Sequence, residues 1–136
     1  MKSLCILLFL AIAAIAQSQQ YLPFRNCDPR DTFQFGVIEF ERMPQLNDPK
    51  NNEVFVVGHF PMPFTYGYIN HITFLNGAQM NNEVNEEKTG ETWKYNSGET
   101  SFKLPKFEQP GDYQLLIKLF TNDGEQLGCA GLSFTL

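Results

Sequence analysis

The stretch PGDYQLLIKLFTNDGEQLGCAGLSFTL, residues 110–136, has the clearest pattern of apolar residues in the chain. From Tyr113 onward, Leu115, Ile117 and Leu119 follow at every second position. Side chains alternate across a β-strand, so these four residues share one face, and that face is wholly apolar. The pattern predicts a strand that packs one face against a core.

A turn follows this strand and sends the chain back beside it. Asn122, Asp123 and Gly124 are the residue types that tolerate the positive φ of a tight turn. A second run with apolar residues follows: Leu127, Cys129, Leu132 and Phe134. Two such runs around an Asp-Gly turn predict a β-hairpin.

The first residues have the pattern of a secretory signal peptide. Lys2 precedes an apolar run over residues 4–16, which ends in Ala14, Ile15 and Ala16. This small-x-small ending is the pattern that signal peptidase accepts. A membrane anchor is the alternative, but it needs about 20 apolar residues. We therefore expect a signal peptide at 1–16 and a mature chain at 17–136.

The mature chain has the length of one domain and an acidic balance. It is long enough to bury one core, so we expect a single domain. Without Lys2, nine basic residues remain against 15 acidic ones, a net charge of −6. Such a surface repels nucleic acids and anionic headgroups. We therefore expect no nucleic-acid partner.

The cysteines agree with secretion. Cys5 leaves with the signal peptide, and Cys27 and Cys129 remain. An even pair in an oxidising pathway predicts one disulfide. The alternative is two buried free thiols.

The rest of the chain predicts further short strands. Apolar and β-branched runs lie at 33–40, 53–60 and 66–75, whereas 78–91 is polar and acidic and predicts a weak strand with loops at an exposed edge. A turn signal at 96–98 predicts a second hairpin between 93–95 and 102–104. No segment keeps a helical period, so we predict an all-β sandwich.

Residues for catalysis are few. His59 and His71 are the only histidines, and both lie in predicted strands, where we interpret them as partly exposed strand residues rather than catalytic bases. The acidic run at 83–91 lacks the Asp-rich spacing of a calcium loop, and a zinc site needs three or four ligands. We expect no catalytic residues, no metal and no cofactor, and we predict a binding protein rather than an enzyme.

The aromatic content is high for one small domain. The chain has 13 Phe, five Tyr and one Trp, of which Phe9 lies in the predicted signal peptide. Composition alone allows two arrangements. Either these side chains fill an oversized core, or the two sheets stand apart around a cavity with apolar walls.

Several short motifs together resemble the ML lipid-recognition domain family. They are residues 24–27 (FRNC), Gly58 at the end of a Val-rich strand, residues 104–105 (LP), residues 110–113 (PGDY) and residues 123–129 (DGEQLGC). This family includes the Niemann-Pick type C cholesterol carrier, the ganglioside activator protein and fungal phosphatidylglycerol/phosphatidylinositol transfer proteins. The match covers the mature chain and is most specific in its last third.

The resemblance implies an immunoglobulin-like sandwich of two antiparallel sheets, with a lipid in an apolar cavity between them. It also implies that Cys27 and Cys129 form the disulfide of the family's terminal pair. The ligand would be a sterol, a fatty acid or a phospholipid, carried or presented by a monomer that contacts membranes transiently. We expect this protein outside the cell or in the endosomal or lysosomal lumen.

The predicted strands also give candidate walls for the cavity. Residues 61–64 are a short apolar segment that we place at the cavity rim, with an edge turn packed on the sheet as the alternative. The predicted lipid-binding residues are Phe55, Val57, Phe64, Tyr68, Ile72, Phe74, Leu115, Ile117 and Phe134. A shift of one residue in a strand would exchange its two faces, so this set depends on strand parity.

Two other functions fit the same sequence. A sandwich with a packed core could bind another protein through its surface and take up no lipid. An enzyme, or an enzyme cofactor of an acidic endosomal compartment, is the third hypothesis. Uptake of an apolar ligand by the native protein distinguishes the first function from these two.

Overall fold

The computed structural model describes residues 21–50, 52–60, 64–80, 84–93 and 97–136. The predicted signal peptide at 1–16 and the predicted mature start at Gln17 lie outside the described residues. The described strands are β1 (Phe24–Asn26), β2 (Gln34–Phe40), β3 (Glu53–His59), β4 (Phe64–Leu75), β5 (Ala78–Gln79), β6 (Val84–Trp93), β7 (Ser97–Lys103), β8 (Asp112–Phe120) and β9 (Gln126–Thr135).

These strands form two antiparallel sheets, as the sequence predicts. Sheet A has the order β2-β3-β7. Sheet B has the order β1-β9-β8-β4, and both β5 and β6 pair with β4. The prediction of an all-β fold with two antiparallel sheets is confirmed. Within the described ranges, no helix has the length and apolarity needed to cross a membrane.

The predicted hairpin of the last third is confirmed as β8 and β9. Its register places Leu115 opposite Leu132 and Ile117 opposite Ala130, and all four side chains are buried. Gly124 lies in the turn with a φ of +85°, a conformation that costs glycine little. The one-sided apolar pattern of β8 therefore faces the core.

A bulge in strand β2 explains why apolar residues occur at both odd and even positions of its sequence. The register with β3 shifts between Phe35 and Val37, which marks a β-bulge. Before the bulge Phe35 is buried, and after it Ile38 and Phe40 are buried. The extra residue changes the parity of the strand, so both halves turn their aromatic or aliphatic side chains to the same core.

The second hairpin predicted between 93–95 and 102–104 is wrong. Strand β6 ends at Trp93 and pairs with β4 of sheet B, whereas β7 pairs along its full length with β3 of sheet A. Strand β7 places Phe102 opposite Val54, so this ring completes the inner face of sheet A. The weak strand predicted within 78–91 corresponds to β5 and most of β6.

Residues 24–26 form the short strand β1. Strand β1 pairs with β9, with Asn26 opposite Ala130. The backbone amide of Cys27 donates to the carbonyl of Cys129 over 2.9 Å, and the two cysteines form the predicted disulfide. The disulfide therefore links the segment between β1 and β2 to strand β9.

Candidate functional site

The candidate site lies where the inner faces of the two sheets meet. Sheet A turns apolar side chains inward from all three of its strands, at Phe35, Ile38, Phe40, Val54, Val56 and Phe102. Sheet B does the same from β4, β8 and β9, at Ile69, Tyr113, Leu115, Ile117, Leu119, Ala130, Leu132 and Phe134. Both faces are apolar, and removing apolar surface from water by contact with another apolar group lowers the free energy.

One edge of the sandwich is closed by hydrogen bonds between the sheets. The side-chain amide of Asn26 in β1 donates to the Phe35 carbonyl over 3.0 Å and accepts from the Phe35 amide over 2.9 Å. The Phe33 amide donates to the Leu127 carbonyl over 2.8 Å. Gly128 allows this approach, because a Cβ there would lie 2.5 Å from the Phe33 carbonyl oxygen.

Aromatic rings fill the end of the interior where β8 begins and β9 ends. Phe107, in the loop before β8, packs edge-on against Tyr113 with ring centroids 4.8 Å apart. Phe134 stacks on Tyr113 at 5.6 Å and meets Phe40 of sheet A at 6.2 Å. The Tyr113 hydroxyl donates to the Gln109 carbonyl, so its one polar atom is satisfied. This end of the space between the sheets is packed by rings.

The opposite edge is formed by strands of different sheets. Strand β7 is the last strand of sheet A, and β6 lies beyond β4 in sheet B. Next to this edge, the ring of His71 in β4 stacks on Phe102 in β7, with centroids 4.6 Å apart and planes inclined by 27°. The hydrogen bonds and the disulfide described above lie on the β1, β9 and β2 side, away from this edge.

The structure divides the predicted lipid-binding residues between inner and outer faces. Leu115, Ile117 and Phe134 are buried on the inner face of sheet B. Strands β3 and β4 have the other parity from the one predicted, so they turn a second group outward, where its members are half-buried: Phe55, Val57, Tyr68, Ile72 and Phe74. Phe64 begins β4, and its side chain lies outside the described part of the structure.

The parity of β3 and β4 has a physical reason. Val54 lies between Phe40 and Phe102, and Val56 lies opposite Ile38, so both valines pack inward against apolar neighbours. On β4, Tyr68 instead stacks on Phe120 across the outer face of sheet B, at 4.9 Å. Both strands have apolar residues at every parity, so alternation alone could not select the inner face.

Three buried polar residues on the inner faces were not predicted to lie there. His71 is 1% exposed, so its prediction as a partly exposed strand residue is wrong, whereas His59 at the end of β3 is exposed. Thr73 and Thr100 are also buried and lie on inner faces. The available signal was parity: His71 and Thr73 continue the alternation that starts at Ile69.

Among the described residues, open grooves lie on the outer face of sheet B. One, of about 330 Å³, is lined by Phe74, Leu116, Gly131 and neighbouring residues of β8 and β9. The other, of about 500 Å³, has mostly polar walls that include Asn76, Asp112 and Thr135. Among the described residues, no three His, Cys, Asp or Glu side chains are grouped so that they could hold a metal ion.

Charges gather in the loop before β2, beside the disulfide. Arg30 pairs with Asp28 at 2.7 Å and lowers the pKa of that exposed carboxyl. Partial burial, and then the nearby Asp28 carboxylate, raise the pKa of Asp31 above its ordinary value. The backbone amide of Cys129 opposes this shift by donating to Asp31. Ionised Asp31 therefore opposes folding at neutral pH.

Replacing Asp31 by asparagine is expected to raise the melting temperature at pH 7. A carboxyl with a raised folded-state pKa favours folding below its unfolded-state pKa, and this contribution is lost as pH rises through the folded-state value. The gain should vanish near about pH 2.5, where Asp31 is protonated in both states. Thermal unfolding followed by circular dichroism measures both values.

The control for this experiment is Glu108→Gln, which neutralises an exposed carboxylate in the loop before β8. It should leave the melting temperature at pH 7 nearly unchanged. A lower melting temperature for Asp31→Asn at pH 7 would show that the hydrogen bond from Cys129 outweighs the burial of the charge.

The described strands define a two-sheet antiparallel β-sandwich with one edge tied by hydrogen bonds and a disulfide. Among solved structures, the chain is similar to the crystal structure of chicken MD-1 complexed with lipid IVa, with a TM-score of 0.54 and 16% sequence identity over 82% of this chain and 87% of that one. No family model and no curated protein matches the chain. At this identity the likeness shows the β-sandwich fold alone.

Proposed function

We propose that the protein binds the apolar part of a lipid between its two sheets. The observation that carries this proposal is the composition of the two inner faces, which are apolar over most of their described length and belong to sheets whose β6 and β7 edges are not paired with each other. The likeness to MD-1, whose structure contains lipid IVa, adds support. Each methylene transferred from water to such a surface contributes about 0.8 kcal/mol.

The ligand would enter at the β6 and β7 edge, because the opposite edge is held by Asn26, Phe33 and the disulfide. Its apolar part would lie against Ile69, Leu115 and Ile117 of sheet B and Ile38 and Val56 of sheet A. This set replaces the predicted residues of β3 and β4 that face outward. The ligand class remains a sterol, a fatty acid or a phospholipid.

The proposal includes the route of the protein through the cell. We infer that residues 1–16 direct secretion and are removed, and that the mature monomer carries or presents its lipid outside the cell or in an endosomal or lysosomal lumen. A disulfide fits an oxidising compartment. Loading and release would need transient contact between the β6 and β7 edge and a membrane. No catalytic role is assigned.

Native mass spectrometry of the protein secreted from cells expressing residues 1–136, purified without detergent, tests this function. We expect a mature chain beginning at Gln17 and one lipid per protein that is lost on denaturation. Solvent extraction would then give the chemical class of the lipid. A protein that carries no lipid, and gains none from offered sterol, fatty acid or phospholipid, would contradict the proposal.

The outer face of sheet B supports a second candidate function, binding of another protein. Tyr68, Phe120, Ile72, Leu116 and Phe74 are half-buried neighbours on this face, and the groove of about 330 Å³ lies at its β8 and β9 side. Half-exposed apolar groups of this kind often mark an interaction surface. This function predicts a lipid-free protein in the same experiment.

A further inference from the structure

The outer face of sheet B ends in a patch of polar side chains at the start of β8. Asp112 and Gln114 of β8 are exposed there. The register places Gln114 opposite Ser133 of β9 and Asp112 opposite Thr135, and both of these partners are exposed as well. Side chains at directly opposite positions of two antiparallel strands lie side by side on one face. The hairpin of β8 and β9 therefore presents a carboxylate, an amide and two hydroxyls to solvent.

Strand β4 adds an aromatic ring and a second amide to this patch. Phe74 lies opposite Gln114 and is half-buried. Asn76 follows in the turn after β4, where its backbone amide donates to the Asp112 carbonyl over 2.8 Å. The side-chain oxygen of Asn76 accepts from the Asp112 backbone amide over 3.0 Å. This bond holds the Asn76 side chain beside Asp112 and leaves its NH2 group to donate to a ligand.

These side chains line one continuous depression. The groove of about 500 Å³ and the groove of about 330 Å³ share Gln114 and Ser133 in their walls. We call them together the outer groove, which runs from Leu116 and Gly131 past this pair to Asp112. Gly131 keeps the apolar end open, because the position of its missing Cβ is 4.0 Å from the Leu116 side chain. Each part has the volume of a small-molecule site, about 300–1,000 Å³.

The walls of the outer groove disfavour three classes of ligand. Its described lining residues include one carboxylate, that of Asp112, and no basic side chain. A phosphate, sulfate or carboxylate group would therefore meet a like charge without a cation to pair with. A purely apolar chain would cover the amides and hydroxyls without replacing their bonds to water, which is costly. A small cation would pair with Asp112 but would leave the amide donors unused.

A ring with several neutral hydroxyl groups matches the walls of the outer groove. Amide NH2 groups donate, carboxylates accept and hydroxyls do both, so the walls can pair with several ligand hydroxyls at once. The Asp112 carboxylate accepts from the Thr135 hydroxyl over 2.7 Å, which fixes its position and leaves acceptor sites for a ligand. A pyranose ring also has a face of C–H groups, which suits the electron-rich, apolar face of an aromatic ring. Phe74 lies next to the polar side chains and supplies that ring.

We propose that the outer groove binds a neutral sugar ring of an oligosaccharide. The C–H face of the sugar packs on Phe74, and its hydroxyls bind Asn76, Asp112 and Gln114. This site lies on the opposite face of sheet B from the apolar inner face. The inference therefore goes beyond lipid binding and does not depend on it.

Nuclear magnetic resonance of the nitrogen-15-labelled mature protein tests this site. The probes are four neutral oligosaccharides: maltohexaose, cellohexaose, mannohexaose and N-acetylchitohexaose. We expect at least one of them to shift the side-chain NH2 signals of Asn76 and Gln114, together with backbone signals at the start of β8 and the end of β9. The shifts should saturate and give a dissociation constant.

Two variants and two matched controls locate the bound sugar. Phe74→Leu keeps an apolar side chain and removes the ring, and Gln114→Ala removes an exposed amide. Each should weaken the oligosaccharide about fivefold to tenfold. Tyr68→Leu removes a ring of the same face outside the outer groove, and Gln126→Ala removes an exposed amide at the other end of β9. Both controls should bind the oligosaccharide like the wild type.

The outcomes separate this inference from the proposed lipid-binding function. Absence of a saturable shift with all four oligosaccharides would overturn the sugar site, and so would unchanged affinity in folded Gln114→Ala. Displacement of the neutral apolar dye N-phenyl-1-naphthylamine by hexadecane tests lipid binding separately, and Gln114→Ala should bind hexadecane like the wild type. Oligosaccharide binding without hexadecane binding would support the sugar site and contradict the lipid-binding function.

Discussion

Replacing Cys27 and Cys129 together by serine is expected to lower the free energy of unfolding by about 3–5 kcal/mol. The disulfide joins residues 102 positions apart in the sequence and therefore closes a long loop. In the chain-entropy account, a loop of about 100 residues makes the unfolded chain less favourable by about 4.7 kcal/mol. Urea unfolding of the double variant and the oxidised wild type, monitored by circular dichroism, measures the difference.

Reduction of the wild-type protein provides the control for this prediction. A reductant should lower the stability of the wild type to about that of the double variant and leave the variant unchanged. The hydrogen bond from the Cys27 amide to the Cys129 carbonyl and the pairing of β1 with β9 do not require the sulfur atoms. Equal stability of oxidised and reduced wild type would show that this backbone pairing, rather than the disulfide, holds the edge together.

The part of the fold that the sequence predicts well is the hairpin of β8 and β9. Its first strand has one face without any polar residue, so only one orientation buries it favourably. Leu115 and Ile117 lie on this face and are buried for this reason. Where one face of a strand is clearly apolar, the burial of that face determines the orientation of the strand.

The parity of β3 and β4 could not be predicted in this way. Val54 and Phe55 are adjacent on β3 and both apolar, and Phe74 and Leu75 are adjacent on β4 and both apolar. The choice between the faces depends on partners from distant parts of the chain, such as Phe102 for Val54. Such long-range packing overrides the weak preference of a strand with two apolar faces.

Two errors at the level of strand pairing have a related cause. Strand β1 has three residues and gains its structure from pairing with β9, at the other end of the described chain. Strands β6 and β7 follow each other in sequence with a turn signal nearby, which favours a hairpin, yet they pair with β4 and β3 in different sheets. A local signal describes a turn and does not specify the partner of each strand.

Ile117→Ala is expected to lower the free energy of unfolding by about 2–5 kcal/mol, because it leaves a cavity in a fully buried position. Its neighbour Leu116 has a side chain of the same size but lies on the outer face of sheet B, where it is half-buried beside Gly131. Leu116→Ala should cost less than about 2 kcal/mol, since water already reaches part of this side chain. Urea unfolding of the two variants measures both losses.

The same pair of variants connects the fold with the proposed function. Ile117 lies opposite His71 and Ala130 on the inner face, so its truncation should change the affinity for hexadecane as well as the stability. Leu116→Ala should bind hexadecane like the wild type, because its side chain faces away from the space between the sheets. If Leu116→Ala instead weakened hexadecane binding and Ile117→Ala did not, the ligand would lie in the outer groove of sheet B.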